Sequence, residues 1–211
     1  ITLIFPIQLD HHWLTVSWAL EGACLIWLLR RVPHPGLRWT GLALLVTAFV
    51  RLVISSTVFG SIPRVGPPVL NWHFHTYGLT ALAMFLAANW LPEASQRWRR
   101  LNIKGLLHAL GGILLFLLLN IELAHFFSPL EGRFTTFEFG GDFARDMTCT
   151  IAWGLFALAT LGIGIRKRSK GARYAAIALL VLTLLKLFFH DLSAIHSVHR
   201  IAALKRQKCL L

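Results

Sequence analysis

The stretch I-K-G-L-L-H-A-L-G-G-I-L-L-F-L-L-L-N-I-E-L-A-H-F (Ile103–Phe126) decides the fold. Between Lys104 and Glu122 it carries no Asp, Glu, Lys or Arg. A helix rises about 1.5 Å per residue, so this run is long enough to cross roughly 30 Å of hydrocarbon. Five further stretches read the same way: 13–29, 38–55, 72–91, 146–165 and 173–192. The expectation is an all-α polytopic transmembrane helix bundle of six spans. A barrel would need alternating segments of about ten residues, and the sequence has none. The connections are short, which makes neighbouring helices antiparallel and 1–211 a single transmembrane module.

Composition agrees. Of 211 residues, 56% are hydrophobic and 14% charged, and mean hydropathy is +0.64. Soluble domains carry about 25% charged residues. A disordered chain is excluded on this count and a water-soluble globule disfavoured. The formal charge of +12 would suit nucleic acid, but the placement of the basic residues argues otherwise. One set of alternate loops holds Arg30, Arg31 and Arg38, then Arg97, Arg99, Arg100 and Lys104, then Arg166, Lys167, Arg168, Lys170 and Arg173. The other loops hold Arg64, Arg133 and Arg145. Cytoplasmic loops accumulate Lys and Arg, so the first set is expected inside and the N-terminus outside. Asp10, Glu131, Glu138, Asp142, Asp146 and Asp191 then fall outside, and Glu93 inside. The expected location is a bacterial inner membrane, crossed several times. The expected partners are the lipid bilayer and other membrane or envelope proteins, not nucleic acid. Trp13, Trp39, Trp72 and Trp90 lie near span ends and fit an interfacial belt.

Ionisable groups at membrane depth are costly, so each is a candidate functional residue. Glu21 and Arg51 lie about 12 Å and about 20 Å above the inner ends of spans one and two. Side chains lean toward their helix N-terminus, so these two lean toward each other and could form an ion pair. Span four ends in Asn120, Glu122 and His125, the last two three apart on one face. Glu-x-x-His occurs in di-iron bundles, but those need a second copy plus further carboxylates, and no other Glu here has a His three residues on. Span three opens with His73 and His75, which point to opposite sides of a helix. Span five opens with Asp142, Arg145 and Asp146. Span six carries Lys186, His190 and Asp191, and Lys186 needs a partner such as Glu122 or Asp146. His108 is expected to be a bundle contact. Glu21, Arg51, Lys186, His190 and Asp191 are therefore expected to bind within a polar cluster in the outer half of the bundle. Gly111, Gly112, Gly154, Gly162 and Gly164 are expected at close helix contacts around an outward polar cavity. Phe/polar alternation in 128–145 suggests a short hairpin or flap. No phosphate loop, nucleophile elbow or zincin motif occurs, and no cofactor or metal is expected. Cys24, Cys149 and Cys209 form no paired motif.

Several segments together resemble one family: W-A-L-E-G-A (18–23), R-R-V-P-H-P-G-L-R (30–38), Asn71-Trp72 with Tyr77-Gly78, I-E-L-A-H-F-F (121–127) and K-L-F-F-H-D-L…H-R-I (186–201). The chain resembles the C-terminal part of the bacterial membrane proteins of domain-of-unknown-function family 2339. That resemblance implies a many-span inner-membrane protein and no particular reaction. It also implies that the chain is a piece of a larger protein, consistent with the missing initiator Met. Similar proteins continue after the R-I position into another span, whereas this chain reads I-A-A-L-K-R-Q-K-C-L-L. Either the tail is truncated or altered, or 193–204 re-enters as a short helix. Two functions follow from the residues. The first is an envelope scaffold, or a binding or transport-type module, without catalysis. The alternative is an enzyme acting on a lipid-linked or periplasmic substrate. Glu122, His125 and Asp146 would then be its acid/base groups.

Overall fold

The structure is a computed structural model, and it describes residues 11–54, 61–63, 71–92, 97–98, 101–128, 133–137 and 143–191. Six helices occupy the six expected stretches: α1 His11–Leu28, α2 Pro35–Ile54, α3 Trp72–Trp90, α4 Ile103–Phe127, α5 Phe143–Arg166 and α6 Lys170–Lys186. A π-helical turn, Leu187–Asp191, follows α6. The expected re-entrant stretch 193–204 lies outside the described residues. The chain divides into two compact units, 1–137 and 138–211.

In the first unit α1 packs on α2 and α3, and α3 packs on α4. Its core holds Ala19, Ile26, Leu45, Met84, Leu114 and Ile121, all without exposed surface. Tyr77 is also wholly buried, and its hydroxyl donates to the Leu52 carbonyl at 2.9 Å. Leu52 lies in the last turn of α2, where carbonyls have no partner within the helix. Tyr77 thus satisfies a helix end and fixes α3 against α2. Asn71 caps α3 and Asn102 caps α4, each accepting from the backbone N–H three residues on.

The helices approach most closely at glycines, though not all of the expected ones. A Cβ at Gly111 would lie 3.0 Å from the Phe85 ring, and one at Gly164 would lie 3.1 Å from Ala172 and Arg173. Gly112, Gly154 and Gly162 instead face open space within 4 Å. The tightest contact is between Gly22 of α1 and Gly41 of α2, where each would-be Cβ lies within 3.0 Å of the other's carbonyl oxygen. Two short ladders complete the first unit. In one, β2 Arg97–Trp98 pairs with β3 Leu101–Asn102. In the other, β1 Ser61–Pro63 pairs antiparallel with β4 Arg133–Thr135. The Phe-rich loop therefore pairs with an earlier loop rather than folding back on itself within the described residues.

In the second unit α5 and α6 pack against each other across a tight turn. Arg168 takes a left-handed φ of 51°, and the Ser169 N–H returns to the Gly164 carbonyl at 2.9 Å. This closes the last carbonyls of α5. Ser169 then caps α6.

Candidate functional site

The helix surfaces define the setting of the site. Among the described residues, four helices are long and apolar enough to cross a membrane: Pro35–Ile54, Ile103–Phe127, Ala144–Arg166 and Lys170–Phe189. Ile151, Leu155 and Leu158 recur at helical spacing on α5 and are 55–63% exposed. Such a stripe is a liability in water and the normal surface in lipid. Five helix hydroxyls obey the same rule. Thr76, Thr148, Thr150, Thr160 and Thr183 each donate to the carbonyl four residues earlier, leaving no bare donor on an apolar surface.

Two polar clusters lie among these helices, one in each unit. In the first unit, Asn71 Nδ2 donates to Glu122 Oε1 at 2.7 Å. The same amide accepts the Phe74 N–H at 2.8 Å through Oδ1. Asn71 is 3% exposed and Glu122 half-buried, so the bond between α3 and α4 is partly shielded from water. His75 Nδ1 meets the Asn71 carbonyl at 2.8 Å. His73 and His125 are both buried, with Trp72 stacked on the His73 ring at 3.7 Å between centroids. Asn120 turns back to the Phe116 carbonyl. Glu122 and His125 share a face of α4, as their spacing implies. His108 lies beside Phe85, with ring centroids 5.9 Å apart.

In the second unit, Lys186 Nζ donates to the Asp146 carbonyl at 3.2 Å and to Thr150 Oγ1 at 2.8 Å. Thr150 Oγ1 donates to that same carbonyl at 3.0 Å. Of the two acids expected near Lys186, Asp146 is the one it meets, through the main chain. Asp146 itself is buried. Replacing Thr150 by Val removes the ammonium's short acceptor and should destabilise the helix pair by about 1–3 kcal/mol. Thr150→Ser should restore it, as read from thermal unfolding in detergent. The side chains of His190 and Asp191 lie outside the described set.

Glu21 and Arg51 do not form an ion pair among the described residues. The Arg51 guanidinium lies 5.5 Å from the Trp18 ring centroid instead. The axial rise explains the exchange. Trp18 stands about 4.5 Å nearer the level of Arg51 than Glu21 does. An aromatic face attracts a cation at that range. Sequence reasoning also missed Asn71. An Asn just before a Trp-initiated helix is a cap signal, and its free amide end is what reaches Glu122. Among the described residues no group of three His, Cys, Asp or Glu side chains could hold a metal ion.

Long apolar helices with lipid-compatible surfaces define a multi-span membrane helix bundle. The chain belongs to the family described as predicted membrane protein (DUF2339), which matches residues 1–143 and 131–204. Comparison with curated proteins and with solved structures finds no match.

Proposed function

We propose that the chain is a non-catalytic envelope module that scaffolds or binds partners within a bacterial inner membrane. Its arginine-rich loops face the cytoplasm and its N-terminus faces outward. The observation that carries this reading is the Asn71–Glu122 bond. One of the carboxylates that sequence marks as acid/base candidates is engaged with the side chain that caps α3. A group held in this way ties helices together. The alternation of basic loops supports the orientation.

A second reading, an enzyme acting on a lipid-linked or periplasmic substrate, is favoured by the shared face of Glu122 and buried His125. Glu122→Gln separates the two, because it keeps the acceptor for Asn71 and removes the charge. With this variant as the sole copy, cells should grow like wild type under envelope stress, and the protein should reach normal membrane levels. Gly111→Leu, which drives a side chain into Phe85, should fail both measures. Loss of growth in Glu122→Gln at normal protein levels would establish the enzyme reading instead.

A further inference from the structure

Where α1 hands over to α2, the structure holds a cavity of about 450 Å³. Its walls include Leu29, Arg30, His34, Arg38, Trp39 and Pro92. Among the described residues that line it there is no acid. The two arginines are held in different ways. Arg30 Nε donates to the Trp90 carbonyl at 2.8 Å, and its Nη2 donates to the Asn89 carbonyl at 3.2 Å. These carbonyls end α3, so Arg30 closes the wall between α1 and α3 and brings its charge to the cavity. Arg38 lies with its guanidinium carbon 5.1 Å from the Trp39 ring centroid. Its Nε and Nη2 are shut off from solvent and have no hydrogen-bond partner. These two nitrogens form the edge of a guanidinium that grips a phosphate or carboxylate with two parallel bonds. Leaving them bare costs free energy that an anion would recover. His34 Nδ1 accepts the Gly36 N–H at 3.1 Å, so the neutral ring carries its proton on Nε2 as one more donor.

We infer that this cavity binds a phosphate ester, drawn in by the Arg30 and Arg38 charges and gripped once the Arg38 side chain turns its covered, unpartnered Nε/Nη2 edge toward the anion. The apolar remainder of the wall suits the glycerol portion of an anionic phospholipid. Trp39 and Trp90 place the cavity at the depth of headgroups, where basic pockets between helices hold acidic lipids. The site lies at the opposite end of the first unit from Asn71 and Glu122, and it does not depend on what those residues do.

The test is native mass spectrometry of the full chain in detergent, titrated with dioleoylphosphatidylglycerol. Thermal unfolding is followed in parallel with inorganic phosphate. Wild type should retain the lipid, and Arg38→Gln should weaken retention about tenfold or more, as expected for a lost charged bidentate contact. Arg38→Lys keeps the charge without the fork and should also bind more weakly. Arg31→Gln removes an exposed neighbouring charge that does not line the cavity and should bind like wild type. If inorganic phosphate alone raises the unfolding temperature of wild type but not of Arg38→Gln, the anion site stands with a soluble phosphate as its source. Equal retention in wild type and both Arg38 variants, with no differential effect of phosphate, would overturn the site. So would an equal loss in Arg31→Gln, since the attraction would then be diffuse charge. If Arg38→Gln does not fold, Arg38→Lys against Arg31→Gln decides.

Discussion

Gly22→Leu is expected to force α1 away from α2 and to destabilise the first unit. A Cβ at Gly22 would sit 2.9 Å from the Gly41 carbonyl oxygen and 3.0 Å from Leu45 Cγ. The contact is reciprocal, because a Cβ at Gly41 would sit 3.0 Å from the Gly22 oxygen and 3.1 Å from Ile26 Cγ1. Main-chain oxygens cannot rotate aside as a flexible side chain can. The two helices would have to separate, and fully buried Ile26, Leu45 and Ala48 would lose their packing. In lipid this loss has no substitute drive, because separated helices are not pushed together by water. Overpacking of a core costs about 1–3 kcal/mol, and a backbone collision belongs at the top of that range. For a chain of this length that lowers the unfolding temperature by roughly 5–12 °C. Gly41→Leu should behave alike. Gly162→Leu is the control, since nothing lies within 4 Å of its would-be Cβ. If all three variants melt alike in detergent, the close crossing is not what holds α1 to α2.

That crossing also shows where sequence reasoning loses its grip. The existence and bounds of the helices were legible because length and hydropathy alone decide them in a membrane. The expected 72–91 and 103–126 became Trp72–Trp90 and Ile103–Phe127. The expected 173–192 began earlier, at Lys170, because Ser169 caps there, and its far end passed into the π turn. Which face of each helix turns inward was not legible. In water, the buried face is the apolar one and can be read from periodicity. A helix that is apolar all round carries no such signal. Gly112, Gly154 and Gly162 were therefore expected at contacts that they do not make, while Gly22 and Gly41 were passed over. The polar residues were legible as members of clusters but not as pairs. Lys186 reaching the Asp146 region was foreseeable from the cost of a lone cation. Arg51 finding Trp18 instead of Glu21 follows from an axial offset of about 8 Å already implicit in the helix rise, which pairing by charge alone overlooks.

Asn71 is where these two kinds of information meet, and its replacement should have the other large effect. Asn71→Ala removes two things together. The loss of the α3 cap costs about 1 kcal/mol. Glu122 Oε1 also loses the donor 2.7 Å away, and a hydrogen bond to a charged group contributes about 1.5–3 kcal/mol. The expected total is about 2–4 kcal/mol in detergent unfolding, with α3 and α4 loosened at this end. Asn71→Asp isolates the second part, since Asp caps a helix as well as Asn does. It sets a carboxylate against half-buried Glu122, where like charges repel more strongly than in open water. It should therefore be at least as damaging as Asn71→Ala although its cap is intact. Combining it with Glu122→Gln reverses the direction of the bond. The new amide at position 122 donates to the new carboxylate at position 71, and much of the lost stability should return. A double-mutant cycle measures that return directly. If the double variant is no more stable than the sum of its parts predicts, Asn71 and Glu122 are neighbours rather than partners. The proposal that this carboxylate serves to hold helices would then lose its support.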